Sequence, residues 1–297
     1  MCARFTLAVP DFASLVAMLE AYLGAGAANG GPARAIAADP KAAALYRPRY
    51  NIAPSTVHPV LRAQGGRREL VAATWGFTGR FGGGGAAPSL LANARAESAR
   101  TKPTFRGAFA ARRCVVPADG FYEWTGPKGA RRPTWFHPAG GGLLRMAGLY
   151  QPAKEPDAGD IDVRFTILTT EASADVAQVH DRMPVLLAPE DVDLWLGVGD
   201  GEASDADRVE ALLRPAPRGS LAARAVSTRV NAVGHDDPAL LEEVAVEAAA
   251  PKADPAKAAA PKAGPAKAAS KAGGTLPLFD LDAGAGPTIP SGRTPRR

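Results

Sequence analysis

The chain holds two cysteines, Cys2 and Cys114, in 297 residues, so no disulfide framework can staple it. That scarcity fits a reducing compartment. Long apolar runs are missing too, and no stretch approaches the length that spans a bilayer. The apolar segment Phe12–Leu19 invites a secretory-signal reading, but Pro10-Asp11 opens it, Glu20 follows it and only Arg4 supplies a positive flank. Aromatics make up 6% of the residues, and the four histidines have no ligand-like spacing with either cysteine. No metal site and no cofactor are expected. A soluble, cytoplasmic monomer is the expectation that remains.

Alanine, 32 glycines and 27 prolines are plentiful instead, and they divide the chain into two regimes. Residues 1–246 alternate apolar runs with turn signals and read as one folded domain. Residues 247–274 are almost all Ala, Lys and Pro, with Pro251-Lys-Ala-Asp-Pro-Ala-Lys repeated as Pro261-Lys-Ala-Gly-Pro-Ala-Lys. Frequent prolines forbid a continuous helix and no side chain there could anchor a core, so a disordered, semi-extended linker is expected. An apolar island at 275–281 and a disordered end at 282–297 follow.

Within the body, strands are expected at Cys114–Pro117, Gly120–Trp124, Thr134–His137, Leu144–Gly148, Phe165–Thr169, Val185–Leu187 and Ala223–Val226. Helices are expected at Asp11–Leu23, Thr104–Ala111, Ser173–Val179, Pro189–Leu196 and Asp205–Leu213. Strands and helices do not alternate regularly. The fold class implied is α+β: a β-rich, partly barrel-like antiparallel core flanked by helices, with a disordered C-terminal tail. The Gly82–Gly85 run follows no clear strand and reads as a loop rather than a phosphate cradle.

Chemistry is concentrated at a few places. Trimming of Met1 would leave Cys2 with a free α-amine of pKa about 8 beside a thiol of pKa about 8.5. Such an amine condenses with an aldehyde, and the thiolate can close on the imine to give a five-membered thiazolidine. Otherwise Cys2 is an accident of sequence. Asn93, Arg95 and Glu97 alternate with alanines, which on an extended chain puts three polar groups on one face, while a helix would simply expose them. Glu123 sits among aromatics in Phe121-Tyr-Glu-Trp. Desolvation there would make it a general acid, whereas an edge strand would leave it in water. His180, beside Asp181, is either a proton shuttle or structural. Cys114 reads as a buried thiol. Arg4, Arg106, Arg112 and Arg113, with Trp75 and Phe77, supply ingredients of a single-strand groove, although a solvated helix face would look similar.

Taken in order, Met1-Cys-Ala-Arg-Phe, Arg49-Tyr-Asn-Ile-Ala-Pro-Ser, Trp75-Gly-Phe, Asn93-Ala-Arg-Ala-Glu-Ser, Arg113-Cys-Val-Val-Pro-Ala-Asp-Gly-Phe-Tyr-Glu-Trp, His180-Asp-Arg-Met-Pro and Val226-Ser-Thr-Arg-Val-Asn closely resemble the SRAP (SOS response-associated peptidase) family. Its members shield abasic sites in DNA by covalent crosslinks, and the resemblance runs from Met1 to Glu243. It implies a single domain with a basic DNA channel ending at the N-terminus. By the family's pattern Cys2 forms the thiazolidine, Asn93 positions the reacting end, and Glu123 assists Schiff-base formation. His180 moves protons, Arg4 and Arg95 hold phosphates, and Trp75 sits near the base stack. The family usually carries Gly where Ala3 stands. The island Leu276, Leu278 and Phe279 resembles the peptide with which bacterial repair proteins dock on the replicative sliding clamp.

The expected function is therefore abasic-site capture in single-stranded DNA, placed in the nucleoid when bound. Two alternatives stay open. One is an N-terminal-nucleophile or thiol peptidase using Cys2 and His180. The other is a non-covalent single-strand binder.

Overall fold

A computed structural model describes residues 3–25, 35–79, 89–157, 160–198 and 206–245, all in one unit of the chain. Cys2, the Gly82–Gly85 run, the linker and the Leu276–Phe279 island lie outside the described residues.

The strands, in chain order, begin with β1 (Arg4–Leu7), β2 (Ala37–Ala38), β3 (Arg49–Ile52), β4 (Val57–Gln64) and β5 (Arg67–Trp75). Next come β6 (Phe77–Gly79), β7 (Ser89–Leu91), β8 (Asn93–Arg95), β9 (Arg113–Ala118) and β10 (Gly120–Thr125). The last are β11 (Arg132–Pro138), β12 (Leu144–Asp157), β13 (Ile161–Glu171), β14 (Arg182–Pro184) and β15 (Leu221–Ala225). The helices are α1 (Phe12–Ala25), α2 (Pro40–Leu45), α3 (Ala96–Ala99), α4 (Arg106–Ala111), α5 (Val192–Leu196) and α6 (Ala206–Ala211).

Two sheets carry the architecture. In the larger, β13, β12, β9, β4 and β5 are successive antiparallel neighbours. A short parallel pairing of Arg164 with Thr74 and Phe165 with Trp75 then joins β5 back to β13 and closes a five-stranded barrel. Closure removes the edges that a free sheet would expose. The expected antiparallel core is thus sealed by a parallel seam, and β8 also pairs parallel with β13. The second sheet runs β15-β11-β10-β1-β3, antiparallel throughout.

The barrel strands bury Val60, Leu61, Val71, Val115, Met146, Leu149 and Ile167 in the core. Helix α1 adds Leu15, Leu19 and Leu23, spaced four apart on one face. Its start is set by Asp11, whose carboxylate accepts the backbone N–H of Ser14 at 2.8 Å.

Two sequence expectations change. Ser173–Val179 forms turns rather than a helix, because Asp175 turns its carboxylate to the N–H groups of Gly219 and Leu221. In place of the strand expected at Val185–Leu187, the chain forms β14 three residues earlier. Val185 donates to Leu168 and Leu187 to Arg145, so that stretch crosses between two strands and builds no ladder with either.

Strand β10 depends on Gly120. A Cβ there would lie 2.2 Å from Trp135 Nε1 and 2.7 Å from the Phe136 carbonyl oxygen. The indole is itself fixed by donating to Thr6 Oγ1 at 3.1 Å. Gly120→Ala is therefore expected to cost about 2–3 kcal/mol through overpacking, read as a lowered denaturation midpoint.

Candidate functional site

Arg4, Glu123 and His180 line one cavity of about 520 Å³, together with Ala3, Trp124, Gly126, Gly129, Arg131 and Asn231. Three elements bring them together. β1 carries Arg4, β10 carries Glu123 and Trp124, and the loop entering β14 carries His180. Pairing of Arg4 with Tyr122 fixes the first two in register.

Glu123 is 2% exposed. Burial pushes its carboxyl up to about 7; nearby Asp181 adds to the rise and Arg131 opposes it. An acid of that pKa is half protonated near neutrality, the condition under which a general acid works best. His180 Nε2 lies 3.9 Å from Glu123 Oε2, beyond a direct hydrogen bond. Burial lowers the His180 pKa, which keeps the ring neutral near pH 7.

Two groups compete for His180 Nδ1. The Arg182 backbone N–H donates to it at 2.9 Å, while Asp181 Oδ1 stands 3.0 Å away. One ring nitrogen cannot accept the first and donate to the second. Asp181 is 88% exposed and can turn into water, whereas the backbone N–H is fixed. Nδ1 is therefore the acceptor and the neutral ring carries its proton on Nε2, toward Glu123. Arg182 is held in turn by a bidentate pair with Glu97, at 2.7 and 2.9 Å.

Arg4 is anchored from behind. Its Nη1 donates to Asn51 Oδ1 at 3.2 Å and to the Val230 carbonyl at 3.0 Å. Asn51 is 1% exposed and gives its own amide to the carbonyls of Val230, Ala232 and His235. Asp236 completes this knot by accepting the N–H groups of Tyr50 and Asn51 and pairing with Arg49. Asn51→Ala would strip the Ala232 and His235 carbonyls of this donor, leave Val230 to Arg4 alone and remove a brace of Arg4. The expected loss is about 2–4 kcal/mol in urea denaturation.

Trp124 Nε1 donates to Asn231 Oδ1 at 2.7 Å, and Asn231 Nδ2 donates to the Arg131 carbonyl at 3.2 Å. Asn51, Trp124, Arg131 and Asn231 carried no role in the sequence reading. Asn51 and Asn231 do sit inside the quoted motifs, which was the available signal.

Other expected site residues lie elsewhere. Asn93 is half-buried on β8 opposite Ile167, and Arg95 is exposed where α3 begins; neither lines the cavity. The polar face read from Asn93 stays extended only to Arg95 before α3 turns. Trp75 and Phe77 require correction. Both rings are fully buried, and Trp75 stacks on Phe165 and donates to the Ala92 carbonyl at 2.8 Å. They belong to the core and cannot stack on a base. Arg113 is corrected too: its guanidinium donates to the carbonyls of Trp195, Phe109 and Ala110, which closes the end of α4. Arg106 is exposed and Arg112 half-buried, both away from the cavity lining, while Arg100 pairs with Asp207 and Glu210. Of the arginines read as groove ingredients, only Arg4 lines the cavity.

Cys114 is buried, and desolvation raises its thiol far above the reactive range. Among the described residues, no His, Cys, Asp and Glu cluster could hold a metal ion, and no helix is long and apolar enough to cross a membrane.

Comparison with known proteins fits this arrangement. Residues 1–233 match the family described as SOS response associated peptidase. The chain is 33% identical over 199 residues to the abasic site processing protein YoqW of Bacillus subtilis (strain 168), across 66% of this chain and 87% of that protein. It is 33% identical over 239 residues to the abasic site processing protein HMCES of Gallus gallus, across 70% and 69% of the two chains. A crystal structure of a Bacteroides thetaiotaomicron protein superposes with a TM-score of 0.60 at 18% identity, covering 82% of this chain and all of that one, which extends the likeness to the fold. With the family match spanning most of its length, this chain belongs to the SRAP family.

Proposed function

We propose that this protein captures abasic sites in single-stranded DNA through a covalent thiazolidine on Cys2. The observation that carries the reading is the buried Glu123, poised near 7, in the cavity that Ala3 and Arg4 also line. Ala3 follows Cys2 directly in the chain. The relatives' names as abasic site processing proteins support the same substrate.

The chemistry runs as follows. After Met1 is removed, the Cys2 amine attacks the aldehyde carbon of the ring-opened sugar and gives a carbinolamine. Glu123 donates a proton to the carbinolamine hydroxyl, which leaves as water, and the imine remains. The thiolate adds to the imine carbon and the nitrogen takes up a proton, closing the five-membered ring with net loss of one water. Neutral His180 relays protons between solvent and Glu123. Arg4 holds a flanking phosphate.

A single-stranded oligonucleotide carrying one abasic site tests this directly. Protein whose intact mass confirms loss of Met1 should give a band that survives boiling, with a mass equal to protein plus DNA minus one water. Properly trimmed protein that gives no such band would sink the reading, and turnover of peptide amides by that protein would point to a thiol peptidase instead.

A further inference from the structure

We propose that Arg131, on the β10–β11 hairpin, receives a backbone phosphate of the bound strand and makes that hairpin a wall of the DNA groove. The inference rests on the DNA reading above and adds a residue to it.

Arg131 is exposed, yet it lines the same cavity as Glu123 and His180. Its charge reaches both. Burial chiefly sets the shifts of those two groups, and Arg131 pulls each of them down. Several other arginines of the body spend their charge on protein. Arg49 pairs with Asp236, Arg182 with Glu97, Arg100 with Asp207 and Glu210, and Arg229 with Asp237. Among the described residues no carboxylate pairs with Arg131. A guanidinium at the mouth of a reactive cavity thus keeps its fork of donors for a ligand, and that fork matches a phosphate's oxygens.

The hairpin backbone, by contrast, is fixed. Thr125 pairs with Arg132 across its base, and the Arg131 carbonyl accepts from Asn231. Gly126 takes φ +90°, and a Cβ there would lie 2.8 Å from the Ala130 carbonyl oxygen, so the tight turn needs glycine. A rigid backbone presenting an unspent cation loses little on binding, which is how a built anion site differs from a stray surface charge. Arg132 offers the internal control. It has the same charge and is also exposed, but it is in the strand and does not line the cavity.

The experiment is an anisotropy titration of the full chain with a single-stranded oligonucleotide bearing tetrahydrofuran, the unreactive abasic analogue, over a range of salt. Arg131→Ala should weaken binding about tenfold and reduce the slope of log affinity against log salt by about 0.7, one phosphate's worth. Arg131→Lys should restore the slope and only part of the affinity, because a point charge replaces the fork. Arg132→Ala should change affinity less than about twofold. Arg131→Ala behaving like Arg132→Ala in both affinity and slope would overturn the proposal. The covalent reading is scored separately, on the boiled gel. A wild type with an Arg131-dependent slope but no covalent band keeps this inference and loses the capture chemistry. A covalent band with a slope indifferent to Arg131 does the reverse.

Discussion

Cys2→Ala should abolish the boil-stable crosslink, lowering it at least about 100-fold, yet leave an imine that borohydride can trap. The two nucleophiles of Cys2 do different work. Alanine keeps an α-amine of pKa about 8, so condensation with the sugar aldehyde still proceeds. An imine alone hydrolyses. Ring closure by the thiolate converts it into a stable product, and the thiolate does so with the advantage of an intramolecular reaction, worth effective molarities of about 10⁵ M or more in well-oriented cases. Without reductant the Cys2→Ala lane should be empty after boiling. With borohydride it should show the reduced secondary amine. A lane empty in both conditions would mean that the thiol attacks first and the imine order given above is wrong. A stable adduct without reductant would move the nucleophile elsewhere in the chain.

The same logic makes retained Met1 inhibitory. The nitrogen of Cys2 would then be an amide, with no free pair to attack a carbonyl, and the five-membered ring could not form. Preparations with mixed N-termini should crosslink only in proportion to the trimmed fraction measured by intact mass.

Of the strands that sequence reading located, β9, β10, β11 and β13 share a visible cause, short β-branched or aromatic runs bounded by turn residues, whereas β12 and β15 were met only in part, at Leu144–Gly148 and Ala223–Val226. Strands β4 and β5 escaped for the opposite reason. β5 is buried on both faces from Leu70 to Trp75, and its Leu-Val-Ala-Ala-Thr-Trp sequence shows no period of two. Barrel closure was only half legible, because the seam between β5 and β13 is a two-pair contact between residues 90 apart, invisible to any local pattern. At the site, Glu123 and His180 could be found because their chemistry shows in their neighbours. Asn51 and Asn231 show only as members of the quoted motifs, since they act by bonding backbone carbonyls and indole, partners that leave no residue signature of the role. Trp75 misled for a related reason. An aromatic beside Gly76 reads equally as platform or core, and only its bond to the Ala92 carbonyl and its stack on Phe165 decide for core.

Glu123→Gln is expected to slow crosslinking about 10²-fold or more while making the protein more stable at alkaline pH. The amide fills the same space but has no proton to give the departing hydroxyl, and general acid catalysis typically contributes about 10²–10⁴-fold. In the wild type the rate should peak between the two values, falling above about pH 8, where Glu123 has lost its proton, and below about pH 7, where the Cys2 amine of pKa about 8 is protonated. Glu123→Gln should lose the alkaline limb and keep the acid one. The stability effect follows from linkage. The folded-state pKa of about 7 stands above the ordinary 4.5, so the folded chain holds a proton that the unfolded chain releases across that interval. Stability from this group is complete below 4.5 and is lost as pH rises through 7, when a carboxylate that is 2% exposed must ionise. Glutamine never ionises. The variant should match wild type near pH 4.5 and exceed it by up to about 3 kcal/mol at pH 8, at 1.36 kcal/mol per pKa unit. Urea denaturation at the two pH values measures the difference. Equal stability at pH 8 would show that Glu123 ionises in the folded protein without penalty, and the general-acid role would then have to pass to His180.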